Sequence, residues 1–139
     1  RLAIPDIETW LNLRNVSLVV LSACETALGG PGLDGREIAG VGYYFLKSGA
    51  KSVMASLWNV DDRSTRLLME QFYKNLAQGT STSPVSKAKA LREAQLALLK
   101  GNNSGPLNQR GNSLPSDDQE SAFRHPYYWA PFILMGSGL

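Results

Sequence analysis

The sequence predicts a domain of the α/β class, in which helices pack on a mostly parallel sheet. Short, continuous apolar segments typical of buried strands alternate with segments whose apolar residues recur at helical spacing. Loops rich in glycine, proline and small polar residues separate the two kinds of segment. The chain has 139 residues with 43% hydrophobic and 19% charged residues, which is typical of one soluble domain spanning residues 1–139.

The first two elements are a short helix and a buried strand. Residues 4–13, IPDIETWLNL, predict a helix because Asp6 is a suitable N-cap and the apolar residues recur on one side. Residues 15–23, NVSLVVLSA, predict a strand buried on both faces of the sheet, since their continuous apolar run is bounded by turn-forming residues.

A glycine-rich loop, GGPGLDG at residues 29–35, follows this strand. It lacks both the GxxxxGK[ST] spacing and the lysine of a phosphate-binding loop, so we do not expect nucleotide binding. Asp34 and Glu37 have the spacing of a capping box, which predicts a helix beginning there and ending at Gly49.

The middle of the chain repeats the strand–helix pattern. Residues 51–58, KSVMASLW, predict a second buried strand. Asp61 or Asp62 can cap the helix that follows, and Gly79 ends it. One face of that helix carries three large apolar residues: Leu68, Phe72 and Leu76.

The last part of the chain holds one more helix and one more strand. Ser86 begins a helix that runs to about Lys100. Residues 101–124 are polar and rich in Asn, Ser, Gln, Gly and Pro, which predicts a long mobile loop, cleavable or regulatory in role. Residues 127–137, YYWAPFILMGS, predict a third buried strand.

Composition excludes several function classes. The net charge of +2 comes without a basic cluster, so we expect no nucleic-acid partner. No apolar stretch approaches the ~18 residues of a membrane span, so we expect no membrane partner. The single cysteine excludes an internal disulfide and a multi-cysteine metal site, and it favours a reducing, cytoplasmic location.

Cys24 is the most informative single residue. It follows a predicted buried strand and precedes the glycine-rich loop, at the carboxyl end of the strand, where ligands of open α/β sheets bind. A thiolate there could attack a carbonyl group while loop N–H groups hold the oxyanion. The alternative is a buried core cysteine, which is a common fate for this residue type.

The other candidate residues also have two interpretations. His125, the one histidine, could be the base of a dyad or a structural hydrogen-bonding residue at the entrance to the last strand. Asp61 and Asp62 follow the second predicted strand, at the same edge of the sheet as Cys24. Either can cap a helix, and the second carboxylate could bind a basic substrate side chain.

The serial order of five segments resembles the C-terminal two-thirds of the CHAT domain, so residues 1–139 would be the C-terminal part of one peptidase domain. The CHAT domain is a caspase-like peptidase module related to separase and found at the ends of bacterial proteins with tetratricopeptide repeats. The resemblance covers the chain except for the linker at 79–84 and residues 101–124. It is carried by VVLSACETALG (19–29), GREIAGVGYYFLKSGAKSVMASLWNVDD (35–62), LMEQFYKNL (68–76), ALREAQLAL (90–98) and HPYYWAPFILMG (125–136).

The resemblance implies a caspase–haemoglobinase-like three-layer sandwich and a Cys/His dyad. The cysteine of the family's SAC motif falls on Cys24. Caspase-type enzymes carry the histidine roughly 50 residues upstream, followed by a glycine that helps to form the oxyanion hole. The 23 residues before Cys24 contain no histidine, and His125 falls in a different block of the family pattern. We therefore expect the histidine and further strands before residue 1, and we expect these 139 residues alone to be inactive.

The resulting prediction is a cysteine endopeptidase that needs no metal or organic cofactor. By the resemblance to separase, Asp62 would bind Arg or Lys before the scissile bond, while Asp61 would serve the turn. The expected partners are a polypeptide substrate and the rest of the same polypeptide, including tetratricopeptide repeats. One alternative is a catalytically silent protein-interaction module, and another is an unrelated thiol hydrolase that uses His125.

Overall fold

The computed structural model describes residues 11–21, 35–101 and 122–139. The chain divides into two compact units: a sheet unit, Arg1–Asn59 with Pro131–Gly138, and a helical unit, Val60–Ala130 with Leu139. In chain order the elements are β1 (Val19–Leu21), α1 (Gly35–Lys47), β2 (Ser52–Ser56), α2 (Asp62–Ala77), α3 (Lys87–Lys100), a 3₁₀ helix (Pro126–Tyr128) and β3 (Phe132–Gly136). This alternation confirms the predicted α/β class.

The three strands form one sheet in the order β1-β2-β3. β1 pairs with β2 in parallel, with Val19 opposite Val53. β3 pairs with β2 in the antiparallel direction, with Ser56 opposite Phe132. The sheet in the described residues is therefore mixed, where the sequence predicted a mostly parallel sheet. Apolar patterning does not distinguish the two directions, because a strand presents the same alternation of side chains either way.

The strands differ in how deeply they are buried. All five residues of β2 are buried, as predicted. β1 departs from the prediction of burial on both faces, because Val20 is 38% exposed. Successive side chains of a strand point to opposite faces, so Val19 and Leu21 share one face, and both pack against the apolar core. Val20 lies on the opposite face.

Helix α1 supplies the other half of that core. Val41 and Phe45 are buried and form a cluster with Val53 of β2. Gly42 is also buried, and a Cβ atom at this position would collide with the side chain of Met135. The missing side chain therefore lets the helix approach the sheet closely.

Gly49 ends α1 as predicted. Its φ of +106° lies in the region that only glycine enters without strain. Its N–H donates to the carbonyl of Leu46 (3.0 Å), and the N–H of Ala50 donates to that of Phe45 (3.2 Å). These two bonds are the Schellman pattern, which satisfies carbonyl groups that the last helical turn leaves without partners.

The helix predicted for residues 4–13 lies outside the described residues over 4–10. Over residues 11–13 the prediction is wrong. Leu11, Asn12 and Leu13 have no regular structure. Leu11 and Leu13 nevertheless pack against the α1–sheet core, and the N–H of Leu13 donates to the carbonyl of Ser48 (2.8 Å). These two apolar residues are therefore explained by partial burial against the core and not by a helical face.

Helices α2 and α3 belong to the helical unit. α2 ends at Ala77 with Gln78 as its C-cap, two residues before the predicted stop at Gly79, whereas the ends of α3 match the sequence signals. Ser86 caps α3, its side chain accepting from the N–H of Lys89, and Gly101 ends it in the left-handed conformation. Phe72 of α2 is fully buried. Asn75 of α2 joins the two helices, because its Nδ2 donates to the carbonyl of Ala90 (3.1 Å).

The segment after residue 121 is attached to α3. The Nε of Arg124 donates to the carbonyl of Leu99 (3.1 Å), and the Nε2 of Gln95 donates to the carbonyl of Trp129 (3.1 Å). The loop predicted for residues 101–124 lies mostly outside the described residues, although Gly101 and the residues from 122 onward are included.

The last strand is shorter than predicted. Tyr127 and Tyr128, the first residues of the predicted strand 127–137, lie in the 3₁₀ helix, and β3 begins at Phe132. Pro126 occupies the first position of that short helix, where its fixed φ and missing N–H are tolerated. Proline therefore starts a helical turn here and delays the strand.

Candidate active site

The carboxyl ends of β1 and β2 lie at the same edge of the sheet because the two strands are parallel. Leu21, the last residue of β1, lies opposite Ala55, and β2 ends at the next residue, Ser56. Cys24 follows Leu21 by three residues and lies outside the described residues. The predicted convergence of the two strand ends is therefore present, and the role of Cys24 stays a prediction.

The turn that leaves β2 is tied by two hydrogen bonds. The N–H of Leu57 donates to the carbonyl of Pro131 (3.0 Å). The hydroxyl of the buried Ser56 donates to the carbonyl of Trp58. Sequence reasoning gave no role to Ser56, and the one available signal was a serine at the end of an otherwise apolar strand.

Asp61 is the N-cap of α2. Its side-chain oxygen Oδ1 accepts hydrogen bonds from the backbone N–H groups of Arg63 (3.0 Å) and Ser64 (3.1 Å). These are N–H groups that a helix cannot satisfy internally, and the N-cap side chain commonly supplies their acceptor. The prediction that one of the two aspartates caps this helix is confirmed, and it is Asp61.

Asp62 is the first residue of α2 and is exposed. A carboxylate at this position is stabilised by the positive end of the helix dipole. Since Asp61 already caps the helix, the Asp62 carboxylate is not needed for that purpose. It can accept charge-assisted hydrogen bonds from a basic group presented from solvent.

His125 is the N-cap of the 3₁₀ helix. Its Nδ1 accepts a hydrogen bond from the N–H of Tyr127 (3.2 Å), and the side chain is exposed. Of the two roles considered for His125, this hydrogen bond corresponds to the structural one. The bond occupies one of the two ring nitrogens.

Two further searches concern cofactors and membranes. Across residues 11–21, 35–101 and 122–139, no group of three His, Cys, Asp or Glu side chains is arranged to hold a metal ion. Within the same ranges, every helix is too short or too polar to cross a membrane.

Comparison with known proteins identifies the family. The CHAT domain model matches residues 1–137. The chain is 30% identical over 128 residues to mouse tetratricopeptide repeat protein 28, covering 91% of this chain and 4% of that protein. It is 29% identical over 122 residues to the human protein of the same name, covering 88% of this chain and again 4% of the relative.

These relatives are mammalian, whereas the resemblance noted from the sequence was to a module of bacterial proteins. Both are named for tetratricopeptide repeats, the type of repeat expected alongside this domain. The chain spans only a small part of their length. No solved structure has significant similarity to the chain. Because the CHAT domain model matches nearly every residue, the chain belongs to the CHAT domain family.

Proposed function

We propose that this chain is the cysteine-bearing part of a CHAT-type cysteine endopeptidase, with Cys24 as the nucleophile. The observation that carries the proposal is the family match over residues 1–137. By the resemblance noted from the sequence, the family's SAC motif falls on Ser22-Ala23-Cys24. The fold supports it, because β1 is parallel to β2 and ends at Leu21, three residues before Cys24 in the sequence.

The proposed reaction is acyl transfer through a thioester. The Cys24 thiolate adds to the carbonyl carbon of the scissile peptide bond, and N–H groups near Cys24 stabilise the oxyanion that forms. The C–N bond then breaks, and the leaving amine takes a proton from the imidazolium of the dyad. Water, deprotonated by the same imidazole, hydrolyses the thioester and restores the thiol.

The general base in this proposal is a histidine N-terminal to Cys24, as the family resemblance implies. His125 is not assigned this role. Its Nδ1 already accepts from the backbone of Tyr127, and it lies in the terminal block of the family pattern. The proposed enzyme is therefore the longer polypeptide, in which tetratricopeptide repeats would accompany the peptidase domain.

The proposed substrate is a polypeptide with Arg or Lys before the scissile bond. Asp62 is proposed to bind that basic side chain, because it is exposed and is not needed for the helix cap. Asp61 is assigned to the cap alone. A guanidinium group can form a bidentate pair with a carboxylate, which favours Arg over Lys at such a position.

The experiment is peptide cleavage by the full-length protein, with a library varied at the residue before the scissile bond. Wild type is compared with Cys24→Ala. Cleavage by wild type and none by the variant supports Cys24 as the nucleophile. Equal cleavage by both proteins rejects it.

Absence of cleavage by wild type would favour a silent interaction module, and alkylation of Cys24 then separates the two functions. A thiol that reacts with iodoacetamide at neutral pH much faster than a free thiol indicates an activated nucleophile awaiting a signal. A reaction at or below the rate of a free thiol indicates a packed cysteine, and with it the interaction module.

A further inference from the structure

Helix α3 carries a row of basic residues on its exposed side. Lys89, Arg92 and Lys100 are exposed, and Leu96 lies between the last two. Successive members of this row are three or four positions apart, which places them on one face of a helix. These cations form no cluster in the sequence, because other residues separate them. The opposite face of α3 is packed, and its buried residues include Ala90, Leu91, Ala94 and Leu98.

The positive charge of this row is largely unneutralised within the part of the chain that the structure describes. Arg92 pairs with Glu93 (3.0 Å), which is the one acidic residue of α3. Among the described residues, neither Lys89 nor Lys100 forms an ion pair. Arg124 adds a fourth cation at the end of the helix, where its Nε donates to the carbonyl of Leu99 (3.1 Å). Four cations and one carboxylate leave an excess of positive charge along the helix.

Two leucines accompany these cations. Leu96 is half-buried in the middle of the row, and Leu99, three positions further on, is 39% exposed. Residues three positions apart are neighbours on a helix, so the two side chains form one apolar strip. We call the surface formed by Lys89, Arg92, Leu96, Leu99, Lys100 and Arg124 the α3 surface. It combines apolar contact area with positive charge, which is complementary to a partner that carries both apolar side chains and carboxylates.

The α3 surface fits a polypeptide better than a nucleic acid. Proteins that bind single strands stack the bases on aromatic side chains, and α3 has no aromatic residue. Proteins that bind a duplex gain most of their affinity from contacts between cations and phosphates. The leucine strip has no favourable contact to make with phosphate groups, whereas it can pack against apolar side chains of a peptide.

We propose that the α3 surface is a docking site for an acidic polypeptide segment. Apolar side chains of the segment cover Leu96 and Leu99. Its carboxylates pair with Lys89, Lys100 and Arg124, in charge-assisted hydrogen bonds. Lys89 and Lys100 are about 16 Å apart along the helix axis, so a segment of about three helical turns follows the whole row. The inference goes beyond the proposed function and does not depend on it, since every residue named belongs to the helical unit.

The test measures binding of a fluorescein-labelled peptide to the full-length protein by fluorescence anisotropy. The peptide is composed of Glu, Leu and Ala, with its Glu and Leu residues at helical spacing. It contains no Arg or Lys, so the proposed peptidase would not cut it. Two further ligands are the same peptide with every Glu replaced by Gln, and a labelled single-stranded DNA of the same net charge.

The critical variant is Lys89→Glu/Lys100→Glu, and the matched control is Lys51→Glu/Lys74→Glu. Both double variants change the net charge equally. Lys51 and Lys74 are exposed and lie outside the α3 surface, and Lys74 occupies the last turn of α2 as Lys100 occupies that of α3. Circular dichroism checks that each variant is folded. If charge reversal unfolds the protein, Lys89→Gln/Lys100→Gln replaces it, with an expected loss of affinity of about threefold.

We expect Lys89→Glu/Lys100→Glu to weaken binding of the acidic peptide about tenfold or more, because two attractive pairs become repulsive. The control pair should change the affinity less than about threefold, because salt screens distant charges. Leu99→Gln should weaken binding about three- to tenfold through the lost apolar contact. The Gln peptide should bind wild type at least about tenfold more weakly than the Glu peptide does.

Three results would overturn the inference. Wild type that does not bind the acidic peptide has no such docking site. Equal weakening by the two double variants indicates an effect of net charge alone. Binding of the DNA at least as tight as that of the peptide, and insensitive to Leu99→Gln, indicates a surface for nucleic acid. No cleavage is measured, so a failure here leaves the proposed peptidase standing, and a protein without peptidase activity can still show the docking site.

Discussion

Asp61 and Ser64 bond to each other twice at the start of α2. The Asp61 carboxylate accepts from the backbone N–H of Ser64 (3.1 Å), and the Ser64 hydroxyl donates to the carbonyl of Asp61 (2.9 Å). Ser64 is fully buried, so this pair joins the exposed start of the helix to its packed side. The pair also separates the tasks of two adjacent carboxylates, because Asp61 is committed to the helix and Asp62 is not.

Asp61→Ala is expected to weaken the start of α2 by about 1 kcal/mol, because two N–H groups lose their acceptor. Asp62→Asn keeps the cap and loses only the interaction of its charge with the helix dipole, about 0.3–1 kcal/mol. Hydrogen exchange of the Arg63 and Ser64 amides measures both. Equal protection in wild type and Asp61→Ala would contradict the assigned cap.

Asp62→Asn is expected to change specificity rather than stability. If its carboxylate binds the basic side chain of the substrate, kcat/KM for peptides with Arg before the scissile bond falls about ten- to a hundredfold. Peptides with a neutral residue at that position are cut as before. A uniform change across the library would remove Asp62 from the substrate site without affecting the assignment of Cys24.

His125→Asn and His125→Ala are expected to leave peptidase activity intact. Asn restores an acceptor for the Tyr127 N–H, so the 3₁₀ helix is kept, whereas Ala leaves that exposed amide to water at a cost of about 1 kcal/mol or less. Activity of both variants in the full-length protein is the measurement. Loss of activity in both, with the fold retained by circular dichroism, would favour the thiol hydrolase that uses His125.

Asn75→Ala is expected to loosen the contact between α2 and α3. Asn75 is buried, its Nδ2 donates to the carbonyl of Ala90, and its Oδ1 accepts from Gln71 (2.8 Å). Removing the amide leaves a carbonyl without this partner, which costs about 1–3 kcal/mol. Gln71→Ala is the control and should cost less, because Gln71 is only partly buried. Hydrogen exchange of both helices distinguishes the two variants.

Gly49→Ala is expected to destabilise the junction between α1 and β2. The φ of +106° is unfavourable for alanine, and a Cβ atom would lie 2.9 Å from the backbone nitrogen of Arg14. The expected cost exceeds about 1 kcal/mol. Gly40→Ala is the matched control within α1, where a Cβ atom meets nothing within 4 Å and helix propensity improves. Thermal melting should therefore move in opposite directions for the two glycines.

The predictions that the structure confirmed depend on short-range chemistry. The caps at Asp61 and Ser86 and the glycine stop at Gly49 involve hydrogen bonds between residues within five positions of each other. Such signals are complete within a few residues, so they can be recognised in the sequence. The helix expected for residues 4–13 had no capping residue or glycine stop at its C-terminal end. Leu11 and Leu13 are apolar because they pack against the core.

The sequence by itself determined the α/β class, the starts of α2 and α3 at their caps, the complete burial of β2 and, through its order of motifs, the family. Only the tertiary structure decided that β3 runs antiparallel to β2 and that Val20 lies on an exposed face. It also decided that the Ser56 hydroxyl donates to the Trp58 carbonyl in the turn after β2. The physical reason is the separation in sequence between the residues that interact. A cap is made within one turn of helix, whereas strand direction and face depend on which distant segment lies alongside, and apolar alternation is the same for each choice.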